Sequence, residues 1–194
     1  MGNEQAICAA REPRVHRITV EEFLALDRAG FFADVGRVEL IDGEIIEMAP
    51  LHRPHARTLL QLTVAVGLAV EAVSGIEALS PVSAELDAHN LPEADIIVAD
   101  RVSDVEGGFV TLETVRLLIE VSDSSLPHDL GRKLRLYART GVPEYWIADV
   151  KARRIIRLHA PEGEAYRERA EFAFGEPVPS ATIVELTVDT ARLA

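Results

Sequence analysis

The chain is 194 residues long, 48% hydrophobic and 27% charged, with a formal net charge of −12. That length suits one domain of ordinary size, and that composition suits an ordered globular chain with a single core. Both a disulfide framework and a cysteine-based zinc site are excluded, because Cys8 is the single cysteine.

No apolar run approaches the roughly 18 residues of a membrane span, and residues 1–14 lack the apolar core of a signal peptide. The expected location is therefore cytoplasmic. Residues 1–16 read as a flexible N-terminal tail and 17–194 as the domain. A surplus of acid speaks against a phosphate-rich partner, yet residues 130–169 carry ten Lys+Arg against five Asp+Glu. Within that region Arg153, Arg154 and Arg157 read first as solvated strand and turn residues, and secondarily as an anion-binding face.

In chain order, Thr19 and Glu22 form a capping box that opens an amphipathic helix ending at Gly30. RVELIDGEIIEM gives two short strands joined by Asp42-Gly43, the pair a type I′ hairpin turn prefers. Pro54 suits a first helical position, and Leu59, Leu62, Val66 and Val70 predict a long helix to about Ser74. Strands are expected at Ile76–Leu79, Val82–Leu86, Asp95–Ala99 and Val115–Val121. HDLGRKLRLYART then reads as a helix closing at Gly141, followed by a buried strand, EYWIAD. A strand, a helix of that length and a strand favour a parallel pair, so the sheet should be mixed. Strands at Arg154–His159, Ala165–Phe172 and Thr182–Val188 complete the chain, with Trp146 and this tail offering apolar surface.

Three charges stand where apolar strands end or helices follow: Asp95 in PEADIIVAD, Glu120 in VRLLIEVSDSS and Lys133 in DLGRKLRLYA. A buried ionised carboxylate is costly unless it is paired, hydrogen-bonded or bound to a metal. Asp129, Lys133 and Tyr137 are spaced i, i+4, i+8 and share roughly one helical face. Only two of the twenty basic residues are lysines, Lys133 and Lys151. A compact cation tunable by burial is what a site needing a point charge selects over arginine.

The segments LPEADIIVAD, LLIEVSDSS, the D, K and Y of DLGRKLRLYA, and GVPEYWIAD resemble a restriction-endonuclease family long labelled a domain of unknown function. That family lies within the PD-(D/E)xK nuclease superfamily, and the resemblance covers about residues 17–190. It implies a restriction-endonuclease-like fold, a mixed central β-sheet flanked by helices with extra antiparallel strands. It also implies Mg²⁺ or Mn²⁺ held by Asp95, Glu120 and the Val121 carbonyl, with DNA as substrate. One departure stands out. The lysine expected two residues after Glu120 is replaced by Ser122, and Lys133 matches the position where relatives carry a lysine on the next helix.

Glu39, in VELIDGE, matches a common family glutamate and is a further catalytic candidate, against the reading of a surface acid. His55 at the start of the long helix is a candidate for phosphate or water, against a capping or packing role. Arg132, Arg135, Arg139 and Tyr137 are candidates for substrate contact. Ser124, Ser125 and His128 lack a GxSxG turn, so the serines read as cap residues rather than as part of a triad. Two functions follow: a metal-dependent DNA endonuclease with a migrated lysine, or a noncatalytic module keeping the nuclease fold. A homodimer fits either.

Overall fold

Alternation at period two decides what each strand of the main sheet contributes. The computed structural model describes residues 14–102 and 108–194. Cys8 and most of the expected tail lie outside those residues.

The Thr19 hydroxyl accepts from the Glu22 N–H, and the Glu22 carboxylate accepts from the Thr19 N–H. This closes the capping box of α1 (Val20–Arg28). The hairpin β1 (Val38–Ile41) and β2 (Glu44–Glu47) turns on Asp42 and Gly43, with φ of 56° and 67°, as type I′ requires. Gly43 is also demanded by packing, since a Cβ there would lie 2.6 Å from that of Arg17.

The long helix α2 (Arg53–Val70) carries Pro54 in its first turn and stops short of Ser74. Past Val70 the chain tightens, with the Val73 N–H bonding the Val70 carbonyl, and turns at Gly75 with φ of 83°. Six elements follow: β3 (Ile76–Leu79), β4 (Val82–Glu85), β5 (Glu93–Ala94), β6 (Ile96–Asp100), β7 (Val110–Thr111) and β8 (Val115–Ser122). The next helical stretch has three parts, α3 (Leu126–His128), a π-helical turn (Asp129–Lys133) and α4 (Leu134–Thr140). It closes at Gly141 in the left-handed region. The chain continues through β9 (Glu144–Asp149), β10 (Arg154–Glu162), β11 (Ala165–Ala173), β12 (Val178–Pro179) and β13 (Thr187–Val188).

The central sheet has the order β11-β10-β9-β8-β6-β3. Only β8 and β9 run parallel within it, the pair joined by the helical stretch. The sheet is therefore mixed, as expected. The last expected strand shrinks to Thr187–Val188, paired with Val178–Pro179.

Successive strand residues face opposite sides. Ile96, Val98, Leu117, Ile119, Trp146 and Ala148 pack with Leu62, Val66 and Val70 of α2. Ile97, Ala99, Leu118, Tyr145 and Ile147 pack with Leu136 and Tyr137 of α4 on the other face. Each fully buried Val, Leu or Ile among them contributes about 1.5–3 kcal/mol. Trp146, expected to offer apolar surface, is wholly enclosed instead, because its position in the alternation turns it toward α2. No helix among the described residues is long and apolar enough to cross a membrane.

Candidate active site

The same alternation aims the acids. Glu120 shares the parity of Leu118 and so faces the helical stretch rather than α2. Asp95 occupies the one-residue break between β5 and β6 rather than opening a strand. Its carbonyl accepts from the Ser80 hydroxyl at 2.7 Å. Its Oδ2 accepts from the Val121 N–H at 2.8 Å, tying the break to β8 beside Glu120.

Lys133 enters this space from the helix. Its Nζ donates to Glu120 Oε1 at 3.0 Å and to the Glu93 carbonyl at 3.0 Å, and lies 3.0 Å from Glu39 Oε2. Two hydrogen bonds and an ion pair thus hold the ammonium, and the side chain is only 1% exposed. The Tyr137 hydroxyl donates to the same Glu120 oxygen at 2.8 Å. Asp129 Oδ2 accepts from the hydroxyls of Ser122 and Ser125, both at 2.6 Å. Ser122, the residue standing where the superfamily lysine is expected, is thus committed to Asp129. Ser125 holds the N-cap position of α3 but spends its hydroxyl on Asp129 instead of on the backbone.

Glu39 is buried, which sets aside the surface-acid reading; its Oε2 accepts from the Glu93 N–H at 3.3 Å. Its Oε1 has no hydrogen-bond partner among the described residues, although His128 Nε2 lies 3.5 Å away. His55 is also buried, with both ring nitrogens unpartnered among the described residues and Nε2 3.5 Å from Asp95 Oδ2.

Four buried carboxylates, Glu39, Asp95, Glu120 and Asp129, thus surround one buried ammonium. Burial raises the Asp95 carboxyl above its ordinary value; the Val121 N–H, His55 and Lys133 offset only part of that, and Asp129 adds to it. Glu120 is pushed well up by burial and, despite Lys133, by the charges of Asp95, Asp129 and Glu39. Burial also acts on Glu39, but there Lys133 and His128 win and hold it below the usual carboxylate range. Lys133 is raised, because Glu120, Glu39 and Asp129 outweigh the burial that opposes its charge. The ammonium form is secure, and anions remain in surplus.

That surplus bears on a metal. Among the described residues no three His, Cys, Asp or Glu side chains converge as a ready-made cage. A hard cation such as Mg²⁺ needs less, since it commonly takes one or two carboxylates and completes its shell with water and substrate oxygens. Asp95 and Glu120 are oxygen donors held side by side through Val121, and both are raised. These residues fit such an ion.

Other expected site residues are placed elsewhere. Arg132 donates to the Ile41 carbonyl at 2.7 Å and to Glu44 at 2.8 Å, and Arg139 pairs with Asp42. Both pin the β1–β2 hairpin. Arg135 is exposed and does not line the acid cleft. Tyr137 is fully buried behind Glu120, which it braces. Arg153 and Arg157 bond the carbonyls of Leu193 and Pro179 and lie over Phe174 and Phe172. Three contributors escaped sequence reasoning: Asp129 as an acid of the site, His128 beside Glu39, and Glu93 through its carbonyl. For Asp129 the signal existed, in its i, i+4 relation to Lys133.

The sequence profile of the Uma2 family, described as "Putative restriction endonuclease", matches residues 20–191. Among solved structures, the chain is similar to a protein from Anabaena variabilis ATCC 29413 described as a putative nuclease belonging to DUF820. The two are 18% identical, with a TM-score of 0.69, over 91% of this chain and 97% of the other. No curated protein matches.

Proposed function

Because the chain belongs to the Uma2 family, we propose that it is a metal-dependent endonuclease that hydrolyses DNA phosphodiester bonds at the Asp95–Glu120 cleft. The observation that carries this reading is the position of Lys133. A side chain from the helix after β8 reaches Glu120 and Glu39, on the face where a lysine at position 122 would also have pointed. The positive charge has moved along the sequence while keeping its place in the site.

In this reading Asp95, Glu120 and the Val121 carbonyl hold Mg²⁺ or Mn²⁺. Such an ion supplies Lewis-acid stabilisation of the phosphate and a lowered water pKa. The protein's own groups do the positioning. The Val121 N–H fixes the Asp95 carboxylate, and Lys133 and Tyr137 fix that of Glu120. Lys133, held charged by its acids, places a permanent cation where negative charge grows on the phosphate. Glu39 keeps that ammonium in place from the opposite side. His55, whose ring nitrogens have no partner among the described residues, would take a hydrogen bond from an attacking water or bind a phosphate oxygen.

Supercoiled DNA incubated with Mg²⁺ or Mn²⁺ should give nicked and linear products. Asp95→Asn should lower the rate at least 100-fold, the scale for removing one aimed electrostatic group. Lys133→Arg, which keeps charge but not the compact ammonium, should also fall. Equal products from all three proteins would sink the proposal. The alternative, a noncatalytic module on a nuclease fold, draws on Ser122 replacing the usual lysine. It requires that wild type cut no better than Asp95→Asn.

A further inference from the structure

One turn of α2 has two different sides. His52 and His55 line the acid cleft, whereas Arg53, Arg57 and Thr58 line a separate cavity completed by Arg153 and Arg192. Elsewhere in this acidic chain most arginines are spent on carboxylates; Arg17, Arg37, Arg116, Arg132, Arg139 and Arg154 all form ion pairs. The four arginines of this cavity form none among the described residues. Arg53, Arg57 and Arg192 are exposed and also make no side-chain hydrogen bond there, while Arg153 donates only to the Leu193 carbonyl. The residues lining this hollow include four arginines and no Asp or Glu side chain, a local excess of positive charge that a bound anion would relieve. Guanidinium forks match phosphate geometry bidentately.

We infer that this arginine cavity is the track for the DNA backbone on one side of the scissile phosphate. The inference rests on the nuclease reading for its substrate but uses none of the cleft's residues. The cavity and the cleft are separated by the first turn of α2, and a helix is about 10–12 Å across. At about 3.4 Å of axial rise per nucleotide, the arginines meet phosphates roughly three nucleotides from the bond that is cut. Contacts of this kind fix register and carry no base specificity.

The test is binding of a fluorescein-labelled duplex in EDTA, so that nothing is cut, followed by anisotropy from about 50 to 200 mM salt. Wild type is compared with the Arg53→Ala, Arg57→Ala, Arg192→Ala triple variant and with the same three changed to Lys. Arg167→Ala serves as a surface control. Each phosphate contact contributes about 0.9 to the slope of log affinity against log salt. The Ala triple should therefore lose two to three in slope and bind about tenfold more weakly or worse at 100 mM. The Lys triple should keep most of the slope, which a folding defect would not permit, and Arg167→Ala should match wild type. An unchanged slope and affinity in the Ala triple, or no binding by wild type, overturns the inference. Cleavage is scored separately: a protein that binds through these arginines yet cuts no better than Asp95→Asn loses the nuclease reading and keeps the track.

Discussion

Two buried glutamates on neighbouring strands solve the same problem in opposite ways. Glu144 on β9 is fully buried and forms no ion pair among the described residues, yet it is saturated. The Trp146 indole donates at 2.6 Å, the Ser180 hydroxyl at 2.7 Å, the Thr182 hydroxyl at 2.8 Å, and the Thr182 and Ala181 N–H groups at 2.9 and 3.0 Å. Neutral dipoles surround the charge completely, and their effect is to pin residues 180–182 to the sheet. Glu120 on β8 has two donors, one of them an ammonium that Glu39 also claims, and three further acids nearby. A buried carboxylate with a full ring of neutral donors is a fastener. Buried carboxylates crowded around one cation form a site with room for another positive charge.

Removing the buried ammonium should break the acid cleft most severely. Lys133→Ala leaves Glu39 and Glu120 buried without their shared ammonium, an expected loss of roughly 3–5 kcal/mol, or about 10 °C or more in Tm. Adding Glu120→Gln to that variant should restore part of the loss, because one of the stranded charges is gone. Calorimetry on the two proteins decides it; a double variant no more stable than the single would mean that Lys133 acts through packing alone. Next in size is Glu144→Gln, whose amide turns a donor toward a ring of donors, costing roughly 1.5–3 kcal/mol. The urea midpoint should fall, and emission from Trp146, the single tryptophan, should shift. Mg²⁺ should leave the Glu144→Gln deficit as it is, whereas it should stabilise the wild-type cleft. A deficit erased by Mg²⁺ would collapse the distinction between the two regions.

Both glutamates read alike in sequence, as acids on apolar runs, VRLLIEV and EYWIAD. Alternation shows which face of the sheet Glu120 occupies, and the i, i+4 spacing shows that Asp129, Lys133 and Tyr137 look one way. Turn chemistry is equally legible at Thr19, Asp42-Gly43 and Gly141, because capping and positive φ are decided locally. What escapes is decided at long range. The ring around Glu144 comes from residues 180–182, distant in sequence. The π-helical turn at Asp129–Lys133 begins at the residue that Ser122 and Ser125 grip, and such turns often mark functional sites. Arg132 and Arg139 read as free cations on a helix until the hairpin carrying Asp42 and Glu44 is folded against them. Glu39 enters the cleft only through tertiary structure, and a resemblance to a family flagged it where periodicity did not.

The smallest expected effect sharpens the comparison most, because its sign differs between the two regions. Asp95→Asn should stabilise the protein at neutral pH without divalent cations, by about 2–4 °C in Tm, as relief of a strained functional site commonly does. The asparagine Oδ1 can still accept from the Val121 N–H. The sign follows from the direction of the shift. Asp95 is raised above its ordinary value of 3.8 by folding, so between the unfolded and folded values the native state binds more protons than the unfolded one. Stability of the wild type therefore falls as pH rises through that window, and the penalty is complete above the folded pKa. Below 3.8 the carboxyl is protonated in both states, and the variant should have no advantage. The gap in Tm between Asp95→Asn and wild type should open as pH rises from about 3.5 toward 7, then narrow when Mg²⁺ is added to the wild type. An advantage that instead shrank with rising pH would mean that Asp95 is stabilised as an anion by its neighbours, as a fastener is, and the cleft would lose its claim to a cation.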